Sequence, residues 1–380
     1  MKDAEEKKKI LLKDQLFNDQ GVNRLADEIK SVWQPFKKDT FTEEVIQAFP
    51  SLELKERMYH IRDLLAVYLP DDYEQSLAIL LKALPEALDP TQKDNDFGEF
   101  IYASYGEYVV KYGCSKALLS SSLHALREMT KCFSMEYAIR DFINTFPEET
   151  FAMLSSCASS DNYHERRFAS EGLRPKLPWA KGLTVDPLKA LKILDILYFD
   201  KTRYVTRSVA NHMNDLSKSH PREVIACLKK WKTAQKQNEK EMEYIIKHAL
   251  RTLLKRGNQE ALALLGYVKS PKIIVKHFIL RKQQVKIGER LGFDLEIEAE
   301  ASSDLLIDYV IGYRTQRGSY NSKVYKLKKL SIEKNSSVIL SKTHHFKAGM
   351  TTRKLHPGQH KLFLQINGDI YQECFFDLFE

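Results

Sequence analysis

A helical solenoid followed by a small β-sandwich is the fold this sequence predicts, and three observations predict it. Apolar residues keep a helical period through the first two thirds of the 380 residues. A basic residue recurs every 40 positions inside that stretch. Near residue 270 the pattern changes to β-branched residues alternating with polar ones.

The helices come first. In "YEQSLAILLKAL" the residues Leu77, Leu80, Leu81 and Leu84 fall at i, i+3, i+4 and i+7, which is one face of a helix. The same spacing runs through "LELKERMYHIRDLLAVYL", "CSKALLSSSLHALREM" and "DPLKALKILDILYF", which Pro, Gly and Asp-rich breaks separate. The repeat lies in "HERRFASEGL" from His164, "YVTRSVANHM" from Tyr204 and "YIIKHALRTL" from Tyr244. Arg167, Arg207 and Lys247 align, a ring residue precedes each by three, and Leu173, Met213 and Leu253 follow by six. That period belongs to HEAT-type units, helix pairs that bury their apolar faces only by stacking. "EYAIRDF", at 136 to 142, carries the same Tyr-x-x-Arg out of step, so the repeat is irregular upstream. Stacked equivalents would set Arg167, Arg207 and Lys247 in a row along a concave wall, about 10 Å apart. The alternative is that each caps a helix or bridges a neighbouring acid.

The strands follow. "KIIVKHFILRKQQVKIGERLGFDLEIEAE", "LLIDYVIGYR", "KVYKLKKLSI", "SSVILSKTHHF" and "HKLFLQING", with turns such as "HPGQ" and "NGD", describe a β-sandwich of immunoglobulin size. The expected domains are a solenoid over 1–268 and a sandwich over 272–380, with the boundary near Ser270–Pro271 and a solenoid able to fold if cut after Tyr267. The loops 313 to 323 and 351 to 361 bring out Arg314, Arg317, Lys323, Arg353 and Lys354.

Composition bounds the function. With 43% hydrophobic and 29% charged residues the chain is globular, and a formal charge of +8 leans toward a polyanionic partner. The opening "MKDAEEKKKILLKDQ" lacks the apolar stretch of a leader, and no run reaches a membrane span. A cytoplasmic location is expected, close to the nucleoid of a bacterial-type cell, with no membrane partner. Cys114, Cys132, Cys157, Cys227 and Cys374 form no C-x-x-C pair, so neither zinc nor a disulfide framework is expected. His164, His212 and His248 lack metalloenzyme spacing and read as packing groups.

The segment "RRFASEGLRPKLPW", residues 166 to 179, departs from ordinary helix composition. It sets three arginines and a lysine beside Glu171, then places Trp179 after Pro178, whose ring fixes the local backbone. Acids within so basic a segment need a reason to be there, since on a surface for a polyanion they would repel it. Glu171 stands four residues after Arg167, Asp215 one turn after Asn211, and Glu136 four residues before Arg140. Each has a plain structural reading: Glu171 with Arg167, Asp215 with Arg203 or Lys218, and Glu136 with Arg140.

"HERRFASEGLRPKLPW", "RYVTRSVANHMNDLSKSHP", "KHALRTLLKRGNQEALALLGY" and "GEFIYASYGEYVVKYG", with "KVYKLKKLSI" and "PGQHKLFLQING" in the β region, closely resemble the AlkC branch of the AlkC/AlkD DNA glycosylases over nearly the whole chain. The resemblance implies excision of N3-methyladenine and N3-methylcytosine from double-stranded DNA by cutting the N-glycosidic bond, on a HEAT-like solenoid, without base flipping, cofactor or metal. It maps the catalytic acids onto Glu136, Glu171 and Asp215 and the lesion-contacting aromatic onto Trp179. The residues suit the implied chemistry: a base alkylated at N3 is a cation and leaves readily, so the sugar's oxocarbenium character is what remains to be stabilised, and a carboxylate does this and also positions a water. At about 4 Å and an effective ε of 20 it contributes on the order of 4 kcal/mol, roughly a thousandfold in rate. A Trp face adds about 0.5–2 kcal/mol of attraction for a cationic base. The candidate DNA contacts are Arg166, Arg167, Arg174, Arg207, Lys247 and Arg251 on the solenoid, with Arg314, Arg317 and Arg353 on the sandwich. A scaffold that binds nucleic acid or protein without chemistry fits the repeat, charge and sandwich equally; only the acids and Trp179 separate the two.

Overall fold

The computed structural model describes residues 11–89, 97–350 and 353–380. The opening segment up to residue 10, read above for a leader, and residues 351–352 of the second basic loop lie outside the described residues. The chain forms two compact units, one of Met1–Ser219 with Lys230–Ala249, the other of His220–Lys229 with Leu250–Glu380.

Helices α1 (Leu12–Leu16), α2 (Asp19–Val32), α3 (Lys38–Ala48), α4 (Leu54–Tyr68), α5 (Tyr73–Lys82), α6 (Ala103–Gly113), α7 (Leu119–Met129), α8 (Ile139–Thr145), α9 (Pro147–Cys157), α10 (Tyr163–Glu171), α11 (Leu191–Leu197) and α12 (Arg203–Leu216) build the first unit. Part of α13 (Pro221–Ala234) and all of α14 (Glu239–Ala249) complete it. Starts are set where a short polar side chain takes an orphan amide: Asn18 accepts from Gly21 N (2.9 Å), Asp72 from Gln75 N (2.7 Å) and Asn162 from His164 N (2.8 Å). Pro187 and an Asp186 cap turn the start of "DPLKALKILDILYF" into a 3-10 turn, Pro187–Ala190, ahead of α11. The 40-residue repeat is a stack: α10 packs on α12 and α12 on α14. Because α12 has neighbours on both sides, it buries polar residues as well as apolar ones, including Thr206, Ser208, His212, Asn214 and Asp215.

The second unit takes in the first part of α13, then α15 (Arg251–Lys255) and α16 (Gln259–Leu264), and continues, among the described residues, into eight strands. These are β1 (Ile273–Leu280), β2 (Gln284–Lys286), β3 (Arg290–Ala299), β4 (Ser303–Arg314), β5 (Tyr320–Ile332), β6 (Ser337–His345), β7 (Gly358–Ile366) and β8 (Asp369–Phe379). One sheet has the order β1-β3-β6 and the other β2-β8-β7-β4-β5; among the described residues only β2–β8 is a parallel pair. Alternate residues Leu291, Phe293, Leu295 and Ile297 of β3 and Leu305, Ile307, Tyr309, Ile311 and Tyr313 of β4 fill the core. The other face of β4 is covered too, for Leu306 packs with Leu262 and Tyr267.

That covering is locked by the turns at its edge. Gly257 (φ 71°) and Gly368 (φ 89°) lie back to back, and a Cβ on Gly257 would stand 2.5 Å from the Gly368 carbonyl oxygen. Buried Asn367 accepts from Leu306 N (2.8 Å) and donates to Val268 O (2.9 Å) and Asp304 O (3.1 Å). By packing, then, the division falls at Ala249/Leu250, upstream of the change from helix to strand between Leu264 and Ile273. The two helical turns of α15 and α16 need the sheet to cover Leu262, which an uncovered surface helix would leave in water.

Candidate functional site

The ends of α10 and α12, with the turn before α8, bring the three candidate acids into one chain of alternating charge. Glu136 accepts from Ser134 Oγ (2.6 Å) and Arg167 Nη1 (2.5 Å), and Arg167 Nη2 lies 3.9 Å from Glu171 Oε1. Arg174 Nη1 donates to Glu171 Oε1 (2.5 Å), while its Nε and Nη2 both reach Asp215 Oδ2 (2.9 and 2.8 Å). Lys218 Nζ closes the series on Asp215 Oδ1 (2.7 Å). Three cations thus offset three carboxylates; the acids and Arg167 are buried, Arg174 is nearly so, and Lys218 reaches solvent. Removing one member of a buried pair costs about 3–5 kcal/mol because the other is left unpaired.

Glu171, at the end of α10, is buried. Burial works against its charge, but Arg167, Arg174 and the Ser208 hydroxyl, 2.5 Å from Oε2, outweigh it and hold the carboxyl below the usual Glu range. Ser208 also lies 2.9 Å from Ser170 Oγ, and His212 Nδ1 stands 3.0 Å from the Ser170 carbonyl oxygen. Burial, helped by Arg174, pushes the His212 ring down to about 4, so it is neutral at pH 7.

Trp179 is placed by its backbone. Its φ of 64° lies in the left-handed region, a strain of about 1–3 kcal/mol for a residue other than Gly. Arg140, fully buried, sustains the conformation: Nη1 donates to Gly172 O (3.1 Å) and Arg174 O (2.8 Å), and Nε to Lys181 O (2.6 Å). Asn144 ties Gly182 O and Thr184 N, and Lys55 donates to the Trp179 carbonyl. Trp179 is 57% exposed, a large apolar residue held out by a fixed loop.

The acids take the partners their spacing offers only in part: Asp215 does meet Lys218 and Glu171 does meet Arg167, but the closest contacts lie elsewhere. Glu136 meets Arg167, not Arg140; Asp215 meets Arg174 and Lys218, not Arg203, which binds Glu241. Glu171 meets Arg174 more closely than Arg167. The expected basic row is also uneven. Arg167 is buried, with its guanidinium 4.6 Å from the Tyr204 ring centroid, Arg207 is half-buried, and Lys247 is exposed. Arg166 bonds Asp200 and the carbonyls of Ser160 and Asp161 (2.9 Å each). Arg251 is half-buried in the second unit, where Arg314 and Arg317 are exposed and Arg353 lies over Tyr313 at 3.7 Å. Among the described residues no group of His, Cys, Asp and Glu is arranged to hold a metal ion.

Sequence reasoning missed the parts that Arg140 and Ser208 play. Arg140 sits in the out-of-step Tyr-x-x-Arg match, which was the available signal; for Ser208 a single sequence offers none.

Comparison with known proteins bears on this geometry. Residues 274–380 match the family described as Uncharacterised protein YhaZ, C-terminal Ig-like domain. The uncharacterized protein YhaZ of Bacillus subtilis (strain 168) is 33% identical over 360 residues, 94% of this chain and 96% of the relative. The alkylpurine DNA glycosylase AlkC of Pseudomonas fluorescens, solved bound to DNA containing an abasic site analog, superposes with a TM-score of 0.87 at 31% identity, covering 98% of this chain and 100% of that one. With full-length likeness on both sides, a helical repeat region and an Ig-like C-terminal domain, the chain belongs to the AlkC-type family of DNA glycosylases.

Proposed function

We propose that this chain hydrolyses the N-glycosidic bond of cationic alkylated bases in duplex DNA, N3-methyladenine and N3-methylcytosine above all, without flipping the base and without a lyase step. The observation that carries the reading is the buried chain Glu136–Arg167–Glu171–Arg174–Asp215 on elements that also carry an exposed, backbone-fixed Trp179. When the bond breaks, the base departs with the bonding electron pair and loses its positive charge, which passes to the sugar. A fixed carboxylate stabilises that charge without reorganising. Water then adds to the sugar carbon and gives its proton to the carboxylate. Trp179 favours the charged base through its ring face. Arg207 and Lys247 on the solenoid, with Arg314, Arg317 and Arg353 on the sandwich, supply phosphate contacts.

The test is incubation with methylated duplex DNA and chromatography of the released bases, with a uracil-containing duplex beside it. N3-methyladenine release with uracil retained is expected. Comparable release of both removes the charge-based selectivity, and intact methylated DNA leaves a binding scaffold.

A further inference from the structure

Arg167 reaches its two acids from a corner made by two rings. Its guanidinium carbon lies 4.6 Å from the ring centroid of Tyr204 and 5.1 Å from that of Phe97, and the rings meet edge to face, with centroids 5.5 Å apart and planes at 71°. Three near-equal distances make a corner and not a sandwich, so the rings back the guanidinium and leave an N–H edge open. From that edge Nη1 donates to Ser134 Oγ (2.7 Å) and Glu136 Oε2 (2.5 Å), and Nη2 lies 3.9 Å from Glu171 Oε1. Tyr204 is the ring residue that precedes Arg207 by three in the 40-residue repeat, and in the stack its ring lies against the cation of the preceding unit.

The two rings are held differently. Tyr204, on α12, is buried between helices. Phe97 is 46% exposed, yet its backbone has little freedom. Gly98 (φ 71°) runs so close to the turn before Glu136 that a Cβ on it would stand 1.9 Å from the Cys132 carbonyl oxygen, and Ser134 N donates to Phe97 O (3.4 Å). Phe97, Ser134 and Glu136 line one cavity of about 600 Å³, so water there comes within reach of the Glu136–Arg167 pair. Arg167 is nonetheless only 6% exposed, with Phe97 against it on the side that meets solvent.

We propose that Phe97 is a positioning residue for excision, the solvent-side wall of the corner that keeps the Arg167 edge on Glu136 and Glu171. The proposal rests on the function given above and deepens it, adding to the acids a group that acts through Arg167 and not on the substrate. Without the ring the guanidinium gains water and a second orientation, and the carboxylates are no longer fixed where the sugar's charge develops. A ring is needed and not bulk alone, because a cation is attracted to a π face and an aliphatic side chain offers none.

The experiment compares the unaltered chain with Phe97→Leu and Phe97→Tyr in single-turnover N3-methyladenine excision, duplex affinity and melting. Phe97→Leu should lower the rate about tenfold, with Kd within about twofold and melting unchanged. Phe97→Tyr keeps the ring and should stay within about twofold of the unaltered rate. In an Arg167→Lys background Phe97→Leu should change the rate by less than about twofold, since the planar group it holds is gone. The guanidinium signals of isotopically labelled arginine give a readout that needs no activity. Arg167, assigned by its loss in Arg167→Lys, should show slowly exchanging Nη protons in the unaltered chain and in Phe97→Tyr, and fast exchange in Phe97→Leu. If Arg167→Lys does not fold, Leu against Tyr at position 97 decides. An unchanged rate in Phe97→Leu, a loss that Phe97→Tyr shares, a loss that persists in full without Arg167, or weaker duplex binding at an unaltered rate each overturns the proposal; the last would make Phe97 a DNA contact. Absence of N3-methyladenine release by the unaltered chain sinks the glycosylase assignment instead, while the arginine signals still decide whether Phe97 holds Arg167.

Discussion

Glu171 is held charged inside the protein by two arginines and a serine hydroxyl, so its ionisation does not depend on solvent. Glu171→Gln keeps the shape and removes the charge. It should lower the single-turnover excision rate on the order of 10²- to 10³-fold with DNA affinity retained. A wild-type rate would return Glu171 to a purely structural pairing with Arg174. His212, beneath it, gives a pH dependence with a definite sign. Its folded ring titrates near 4 against an ordinary 6.5, so between those values the unfolded chain binds a proton that the folded chain refuses. Stability is complete above pH 6.5 and falls as pH drops toward 4, by on the order of 3 kcal/mol for a fully buried ring. His344 of the sandwich, also pushed down to about 4 by burial, adds a share of its own. Urea midpoints at pH 7 and pH 4.5 should differ less in His212→Gln than in the unaltered chain; an equal difference would show that His212 does not carry it.

At the scale of elements, periodicity carried far. The leucines at helical spacing foretold α5, and the 40-residue interval foretold that α10, α12 and α14 stack, because a repeat unit buries its face only on its neighbour. Alternation foretold β3, β4 and β7, although β8, "DIYQECFFDLF", went unread because its apolar residues Phe375 and Phe376 break the alternation. Within the site the acids were legible as anomalies in a basic segment, and so were Lys218 beside Asp215 and Arg167 beside Glu171, but the partners that come from another helix were not. Arg174 and Asp215 are 41 residues apart, one repeat, and the repeat says that their helices meet without saying which carboxylate a flexible guanidinium reaches. The Gly257–Gly368 contact was equally invisible, since neither glycine stands out from ordinary turn chemistry. Gly257→Ala forces a Cβ against a carbonyl in a left-handed backbone, and should lower stability by about 1–3 kcal/mol. Thermal melting of the full chain checks it; an unchanged transition would mean that the two turns separate at little cost.

Across the whole molecule, the chain passes between its units at 219/220, 229/230 and 249/250, so no single cut removes one and leaves the other whole. A chain ending after Tyr267 would keep α15 and α16 but uncover Leu262 and Tyr267, and a fall in activity would then report exposed apolar surface as much as a weaker hold on DNA. Charge reversal on the exposed hairpin between β4 and β5 avoids this. Arg314→Glu with Arg317→Glu should weaken binding to any duplex and reduce the slope of log K against log salt by about 0.9 for each phosphate no longer neutralised, with melting unchanged. An unaltered slope would leave this hairpin without a part in holding DNA.

The paired glycines at 257 and 368 also bear on how such a chain can be assembled from inherited pieces. A recombination joint at the change of composition near residue 270 would deliver a sandwich whose β4 face lies bare and whose Asn367 amide is without Val268 as a partner. A joint upstream of Leu250 carries the helical turn with the sheet it covers. The smallest portable cassette is therefore a sandwich wearing part of a solenoid, and lineages that exchange this domain are expected to exchange the helical collar with it.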